Sequence, residues 1–229
     1  LEKRPYSKIA WHQLGKIYNK QGKYKESISA FDFAIISDDQ FVSAYIEKAK
    51  VLEKVKRYNE ALENFRLSIE LSEPNSFVYY RIAKCYIKIN NKKLFIDFIK
   101  KSVREEPGNE KAWIFLIKYY LKNNNFRQAK YLSSKALINN HNSIKILRLN
   151  AIIHKEIGDT REAIKFYNQI LDFKENLSWK IWKGLLKCLI DNKEWSELLR
   201  TSLKAKKHYP NKAFLDFIIS GCLLKNGKI

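Results

Sequence analysis

The sequence contains few of the residues that punctuate tight turns: only 7 Gly and 4 Pro stand among 229 residues. A sandwich or barrel of many short strands needs more turn residues than this. Helices joined by brief corners rich in Asn and Lys fit the composition well. The 45% hydrophobic and 14% aromatic content is ample for a buried core. The sequence therefore predicts a folded, all-α protein.

Cysteine and histidine are also scarce. The three Cys (85, 188 and 222) are too few and too scattered for a disulfide framework or a zinc site. The four His share no metal-ligand spacing, and no HExxH, GxSxG or glycine-rich phosphate loop is present. We therefore expect no metal, no cofactor and no catalytic site.

Long apolar runs are missing, since none approaches about 18 residues, and the N-terminus carries no basic-then-apolar signal. We expect no membrane association and a cytoplasmic location, although a signal removed before residue 1 stays open. The sequence has no Met at all. This absence favours a fragment or a processed form of a longer chain.

Acidic residues are in the minority: Lys and Arg total 44 against 24 Asp and Glu, a net charge of +20. Such a surplus favours acidic partners, nucleic acid or anionic membrane surfaces. An AT-rich genome would also enrich Lys, Asn and Ile and produce part of this charge without a function. Nine of the basic residues are Arg and 35 are Lys, and this bias disfavours nucleic acid, whose binders often use the forked guanidinium.

Large residues recur with a period of 34 residues. One such series is Trp11, Tyr45, Tyr79 and Trp113, and a second is Tyr18, Leu52, Tyr86 and Tyr120. In the first unit, Trp11, Leu14, Gly15 and Tyr18 are spaced as one apolar stripe of a helix. Ala61, Phe65 and Ser68 mark a second helix. Two such helices cannot bury themselves alone, so units must stack into a solenoid.

The motif W-x2-L-G-x2-Y at Trp11, Leu14, Gly15 and Tyr18 resembles the tetratricopeptide repeat, as do Ala61-x3-Phe65 and Pro107. The resemblance implies a right-handed superhelical solenoid of antiparallel helix pairs. It covers residues 1–229 as a single array with units at 8–41, 42–75, 76–109, 110–143, 144–178 and 179–212 and a partial unit at 213–229.

Several residues depart from the family pattern. Phe95 replaces the expected Ala, and Asn150 and His154 replace Leu and Tyr, so we expect irregular packing there. An extra residue falls within 174–178. His154 is expected to be a core histidine, and His12 is the histidine expected to face a groove.

The family's first helices line a concave groove with their second, fifth, ninth, twelfth and thirteenth residues. We call the Lys residues at the ninth and thirteenth positions the lysine ladder; they are Lys16, Lys50, Lys84 and Lys118, and Lys20, Lys54, Lys88 and Lys122. Like charges one turn apart repel by a few tenths of a kcal/mol each, so the ladder would concentrate positive charge. The alternative is a solvated face that Lys fills by composition.

Apolar and aromatic residues stand beside the ladder: Phe77, Tyr80 and Ile114. Aromatic anchors among charges suit a peptide or helix and equally suit stacked bases of single-stranded RNA. The Lys and Asn pattern by which some family members hold a chaperone's C-terminal carboxylates is not reproduced in three consecutive units. We therefore do not predict chaperone docking.

The sequence thus favours a non-enzymatic scaffold that binds a partly acidic peptide or protein segment in a basic groove. A helical-repeat binder of single-stranded RNA is the alternative, as is the targeting arm of a larger enzyme.

A helix is predicted over 213–226, with Ile218, Ile219, Cys222 and Leu223 packed against the sixth unit. Phe214, Phe217 and Leu224 are expected to lack cover and to mediate self-association. Gly227-Lys228 resembles the corner Gly22-Lys23.

Overall fold

A computed structural model describes residues 7–73, 75–173 and 177–225. These residues form thirteen α-helices and no strand. Their bounds are α1 Lys8–Lys20, α2 Tyr24–Ser37, α3 Val42–Lys54, α4 Tyr58–Glu70, α5 Ser76–Lys88, α6 Lys92–Glu105, α7 Glu110–Lys122, α8 Phe126–Asn139, α9 Ile144–Glu156, α10 Thr160–Phe173, α11 Trp179–Asp191, α12 Trp195–His208 and α13 Ala213–Lys225. The all-α class and the sequential helix pairs are confirmed.

The chain divides into two compact units, residues 1–112 and 113–229, with the boundary inside α7. In the first unit each helix from α1 to α6 packs against the next, and α1 also touches α3. In the second unit the same holds from α8 to α13, and α9 also touches α11. The single array over 1–229 stays a prediction.

The corner between the two helices of each pair has the same backbone conformation in six repeats. The residue at the fifteenth repeat position is left-handed, with φ between +54° and +83°. These residues are Gly22, Lys56, Asn90, Asn124, Gly158 and Lys193. Gly adopts this conformation without strain, and for other residues it costs about 1–2 kcal/mol, with Asn among the better tolerated. The corners therefore end each first helix at a fixed point and hold the 34-residue period.

In two of these corners an asparagine side chain caps the start of the next helix. Asn91 and Asn125, which follow the left-handed residue, accept hydrogen bonds from the backbone N–H of Leu94 and Gln128, each at 3.1 Å. These bonds satisfy N–H groups that have no partner within α6 and α8. The Asn-rich corners of the sequence are thus helix stops and helix starts in one step.

The eighth repeat position lies in the core of each helix pair. It is buried in six repeats, at Gly15, Ala49, Ala83, Ile117, Ala151 and Leu186. In the first repeat a Cβ on Gly15 would lie 2.7 Å from Cε1 of Phe31, which is fully buried. The Ser27 hydroxyl also donates a hydrogen bond to the Gly15 carbonyl at 2.8 Å. A glycine is therefore required by the close approach of α1 and α2.

The departures from the family pattern are accommodated by burial and hydrogen bonding. Phe95 is fully buried. Asn150 is buried and accepts a hydrogen bond from the Ser133 hydroxyl at 2.8 Å. His154 is buried, with Nδ1 3.1 Å from Oδ2 of Asp159, which confirms a core histidine. The extra residue was predicted within 174–178, and residues 174–176 of this segment lie outside the described residues.

Candidate partner-binding surfaces

The lysine ladder is partly neutralised within the first unit. Lys50 Nζ lies 2.6 Å from Oε1 of Glu47, one turn away on α3. Lys84 Nζ lies 2.8 Å from Oε1 of Glu53. Lys54 donates a hydrogen bond to the side chain of Asn19 at 2.7 Å. Three ladder residues therefore already have partners in this unit.

Glu53 holds two cations of the neighbouring first helix. Its Oε2 lies 2.8 Å from Nε of Arg81 as an ion pair without hydrogen-bond geometry, while Oε1 receives Lys84. The side chains of Glu53 and Arg81 are 12% and 18% exposed. Because water screens this cluster little, Glu53 lowers the positive potential of the ladder and fixes α5 against α3. Sequence reasoning missed it, although Glu53 stands at a groove position.

The other three ladder residues of the first unit have no acidic partner among the described residues. Lys20 and Lys88 are exposed and Lys16 is half-buried. None of the three has an ion pair with any residue that the structure describes. In the first unit, the ladder therefore contains fewer lysines without partners than the sequence implied.

His12 lies between two aromatic rings. Its ring centroid is 5.7 Å from that of Phe31 and 5.2 Å from that of Phe41. Burial, followed by repulsion from Lys16 and Lys50, lowers the pKa of His12 despite the opposing charge of Glu47. The imidazole is therefore neutral at neutral pH. Among the described residues its buried Nε2 has no hydrogen-bond partner.

Phe77 and Tyr80 each lie beside a cation of α5. The Arg81 guanidinium lies 5.8 Å from the Phe77 ring centroid, and Lys84 Nζ lies 6.0 Å from that of Tyr80. Phe77 is 44% exposed. A flat apolar group therefore has access to this ring, and the role of Phe77 as an anchor stays a prediction.

The second unit contains a pocket of about 490 Å³ on its first-helix side. It is formed by α7, α9 and the start of α11, and its lining residues are Ile114, Lys118, Ile144, Lys145, Arg148, Leu149, Ile152, Ser178 and Ile181. Two of them, Ile114 and Lys118, are predicted site residues. Lys145 and Arg148 were missed, although they occupy the second and fifth positions of their repeat. The pocket joins apolar and cationic residues in one place.

Further cations extend this face of the second unit. Lys122 on α7 and Lys180, Lys183 and Lys187 on α11 are exposed. Lys118, Lys122 and the three α11 lysines form no ion pair with any residue in the described ranges. Lys155, by contrast, pairs with Asp191 at 3.2 Å. The open cationic surface is thus clearest in the second unit.

The last described helix confirms part of the terminal prediction and corrects one residue. Ile218 and Cys222 are buried, and Phe217 and Leu224 are 78% and 65% exposed. Phe214 was expected to lack cover, which is wrong: it packs against the core and meets Trp179 edge-on at 6.2 Å. Leu215, not foreseen as core, is fully buried. Asn226 and Gly227-Lys228 lie outside the described residues.

The described residues hold no obvious chemical site. Cys85, Cys188 and Cys222 are free and buried, as expected. No cluster of His, Cys, Asp and Glu that could hold a metal is found in the described ranges. No helix in that part of the chain is long and apolar enough to cross a bilayer.

These features define the class: an all-α helical-repeat protein. The chain contains tetratricopeptide repeats, since the family model of that description matches residues 9–35, 42–75 and 78–109. The regions matched agree with the first three predicted units. No match is found among curated protein sequences.

Solved structures of tetratricopeptide-repeat proteins share the fold. PilF of Pseudomonas aeruginosa is 15% identical with a TM-score of 0.66, over 93% of this chain and 97% of that one. MamA is 17% identical with a TM-score of 0.62, over 73% and 92%. YrrB, described as having an unusual peptide-binding site, is 12% identical with a TM-score of 0.57, over 76% and 90%. At these identities the likeness concerns the fold alone.

Proposed function

We propose that this chain is a non-enzymatic, cytoplasmic scaffold that binds a partly acidic segment of another protein on its first helices. The observation that carries the proposal is the set of exposed cations without acidic partners in the second unit: Lys118, Lys122, Lys183 and Lys187. Unpaired lysines on one face attract a chain of acidic residues without the cost of breaking internal pairs. The family supports a protein-interaction role, and YrrB offers a precedent of peptide binding on this fold.

Selection from a display library of short random peptides tests the chemistry of the partner. We expect the selected peptides to be enriched in Asp and Glu, because the four named lysines are exposed and have no ion pair with any described residue. Binding should weaken with added salt, since the screening length falls from about 10 Å at 0.1 M to about 3 Å at 1 M. Selected peptides without acidic enrichment would contradict the proposal.

Charge reversal locates the surface. In the charge-reversal variant, Glu replaces Lys118, Lys122, Lys183 and Lys187. We expect this variant to bind a selected peptide at least about tenfold more weakly, because each replacement removes one attraction and adds one repulsion. Circular dichroism should stay unchanged, as these side chains are exposed. The matched control reverses four exposed cations of second helices, Lys130, Arg161, Lys204 and Lys207. Equal losses in the two variants would assign the effect to net charge rather than to this face.

Single-stranded RNA is the alternative ligand, favoured by the Phe77 and Tyr80 rings beside Arg81 and Lys84. A short oligouridine is its probe. If oligouridine bound tightly, with an affinity that rises with its length and falls steeply with salt, RNA binding would replace the scaffold role as the favoured function. The scaffold proposal expects weak, nonspecific association. The targeting arm of a larger enzyme remains compatible with the same binding chemistry.

Self-association through α13 is proposed from the exposure of Phe217 and Leu224. We expect sedimentation velocity to show concentration-dependent dimers of this chain, and Phe217→Ser to weaken them at least about tenfold because burying a Phe contributes about 1.5–3 kcal/mol. Ile138→Ser is the control, since Ile138 is 76% exposed on α8. A strictly monomeric chain at all concentrations would contradict the prediction.

A further inference from the structure

We propose that the pocket of the second unit selects a short sequence motif in the partner: an aliphatic side chain flanked on both sides by acidic residues. The inference rests on the proposed function and specifies which feature of an acidic segment is recognised.

One part of the pocket is apolar. Leu149 and Ile181 are buried, and Ile114 and Ile152 leave part of their side chains accessible. A volume of about 490 Å³ lies within the range of roughly 300–1,000 Å³ that holds small ligands. Branched aliphatic residues offer no polar group with which a polar side chain of the partner could pair. The side chain that suits this part is therefore Leu, Ile or Val.

The other part of the pocket is cationic, and one of its hydrogen-bond donors has no acceptor among the described residues. Arg148 has its Nε shielded from solvent, with no hydrogen-bond partner among the described residues. A buried donor without an acceptor is unfavourable, so a ligand that brings an acceptor gains affinity there. Lys118 is exposed on the same rim. The described residues that line the pocket include no carboxylate, so a carboxylate of a ligand would be the first negative charge to reach Arg148 there.

The charge outside the pocket favours a protein segment over a small carboxylic acid. Lys122 stands one turn beyond Lys118 on α7, and Lys183 follows Ile181 closely on α11. A single carboxylate that pairs with Arg148 leaves these cations without partners. A peptide with acidic residues on both sides of its aliphatic side chain supplies an acceptor inside the pocket and further ones beyond it.

Three synthetic peptides with identical Gly-Ser flanks test the motif. The central sequences are Glu-Glu-Leu-Glu-Glu, the same with Ala for Leu, and the same with Gln for each Glu. We expect the first to bind, and both replacements to weaken binding at least about tenfold, because a buried Leu side chain and a charge-assisted hydrogen bond each contribute that much or more. Fluorescence anisotropy on the full chain measures the affinities.

Pocket variants assign the two contributions. Ile152→Ala is expected to reduce the advantage of the Leu peptide over the Ala peptide, whereas the control Ile138→Ala on α8 leaves it unchanged. Arg148→Gln is expected to reduce the advantage of Glu over Gln, and the control Arg161→Gln on α10 leaves it unchanged. Shifts of the methyl resonances of Ile114 and Ile152 on titration provide a readout that does not depend on stability.

The outcomes separate this inference from the proposed function. Equal binding of the Leu and Ala peptides, with sensitivity to the four-lysine reversal, would remove the motif and leave the acidic-segment scaffold intact. Absence of binding by all three peptides, together with no acidic enrichment in the display selection, would remove both. Saturable binding of octanoate at the same methyl groups, with no effect of the Leu peptide on it, would assign the pocket to a small carboxylic acid and overturn the motif.

Discussion

Gly15→Ala is expected to destabilise the first unit by about 1–2 kcal/mol, although Ala is the better helix former by about 1 kcal/mol. The added Cβ would lie 2.7 Å from the Phe31 ring, whose side chain has no accessible surface and no space into which to retreat. Overpacking of a well-filled core costs about 1–3 kcal/mol, and a contact this short belongs at the upper end. Urea unfolding followed by circular dichroism measures the change.

Gly221→Ala is the matched control for this prediction. Gly221 lies in α13, and a Cβ there would meet nothing within 4 Å. The same substitution is therefore expected to stabilise its helix by about 1 kcal/mol. Phe31→Leu in the Gly15→Ala background should recover part of the loss by removing the ring edge. Effects of the same sign and size for the two Gly→Ala variants would show that α1 and α2 do not approach as closely as described.

Glu53→Ala is expected to destabilise the first unit by about 2–3 kcal/mol. The substitution leaves Arg81 and Lys84 next to each other without a counter-charge, and both are shielded in part, with 18% and 32% of the side chain exposed. Removing one partner of a buried ion pair costs about 3–5 kcal/mol, and the remaining exposure reduces this figure. Raising the salt concentration should narrow the difference between variant and parent, because ions screen the repulsion of the two cations.

Glu60→Ala is the comparison for Glu53→Ala. Glu60 pairs with Arg57 on the same helix edge, where about half of each side chain is exposed. Such surface pairs contribute about 0–1 kcal/mol. If both variants lost the same stability, the position of Glu53 between two helices would have no special importance. Glu53→Gln, which keeps the shape, tests whether the charge rather than the packing is responsible.

The helices and the repeat could be predicted from the sequence because they depend on spacing within one helix pair. Trp11, Gly15 and Tyr18 mark one stripe whatever surrounds the unit. The corners were readable for the same reason, since Asn90-Asn91 stops one helix and starts the next through its own backbone and side chain. Local chemistry fixes these features.

The state of the lysine ladder could not be predicted, because it depends on contacts between repeats. Lys84 and Lys118 occupy the same position, yet Lys84 meets Glu53 of the preceding first helix and Lys118 meets no acidic residue in the described ranges. The repeat register assigns the pocket residues Lys145 and Arg148 to groove positions, so the sequence alone could have indicated them. Recurrence does not indicate them, because Lys recurs at the ninth and thirteenth positions whereas Lys145 and Arg148 occupy the second and fifth.

Burial makes the native thiols poor nucleophiles. It raises the pKa of Cys85 to about 12 and that of Cys188 to about 11, and it raises the pKa of Cys222 as well. Only the thiolate reacts with maleimides or disulfides, so at neutral pH the folded chain carries almost no reactive sulfur. A single cysteine introduced at an exposed site can then take a fluorophore or spin label while the three natural ones remain in place. The wild-type background is in this sense already prepared for distance measurements along the chain.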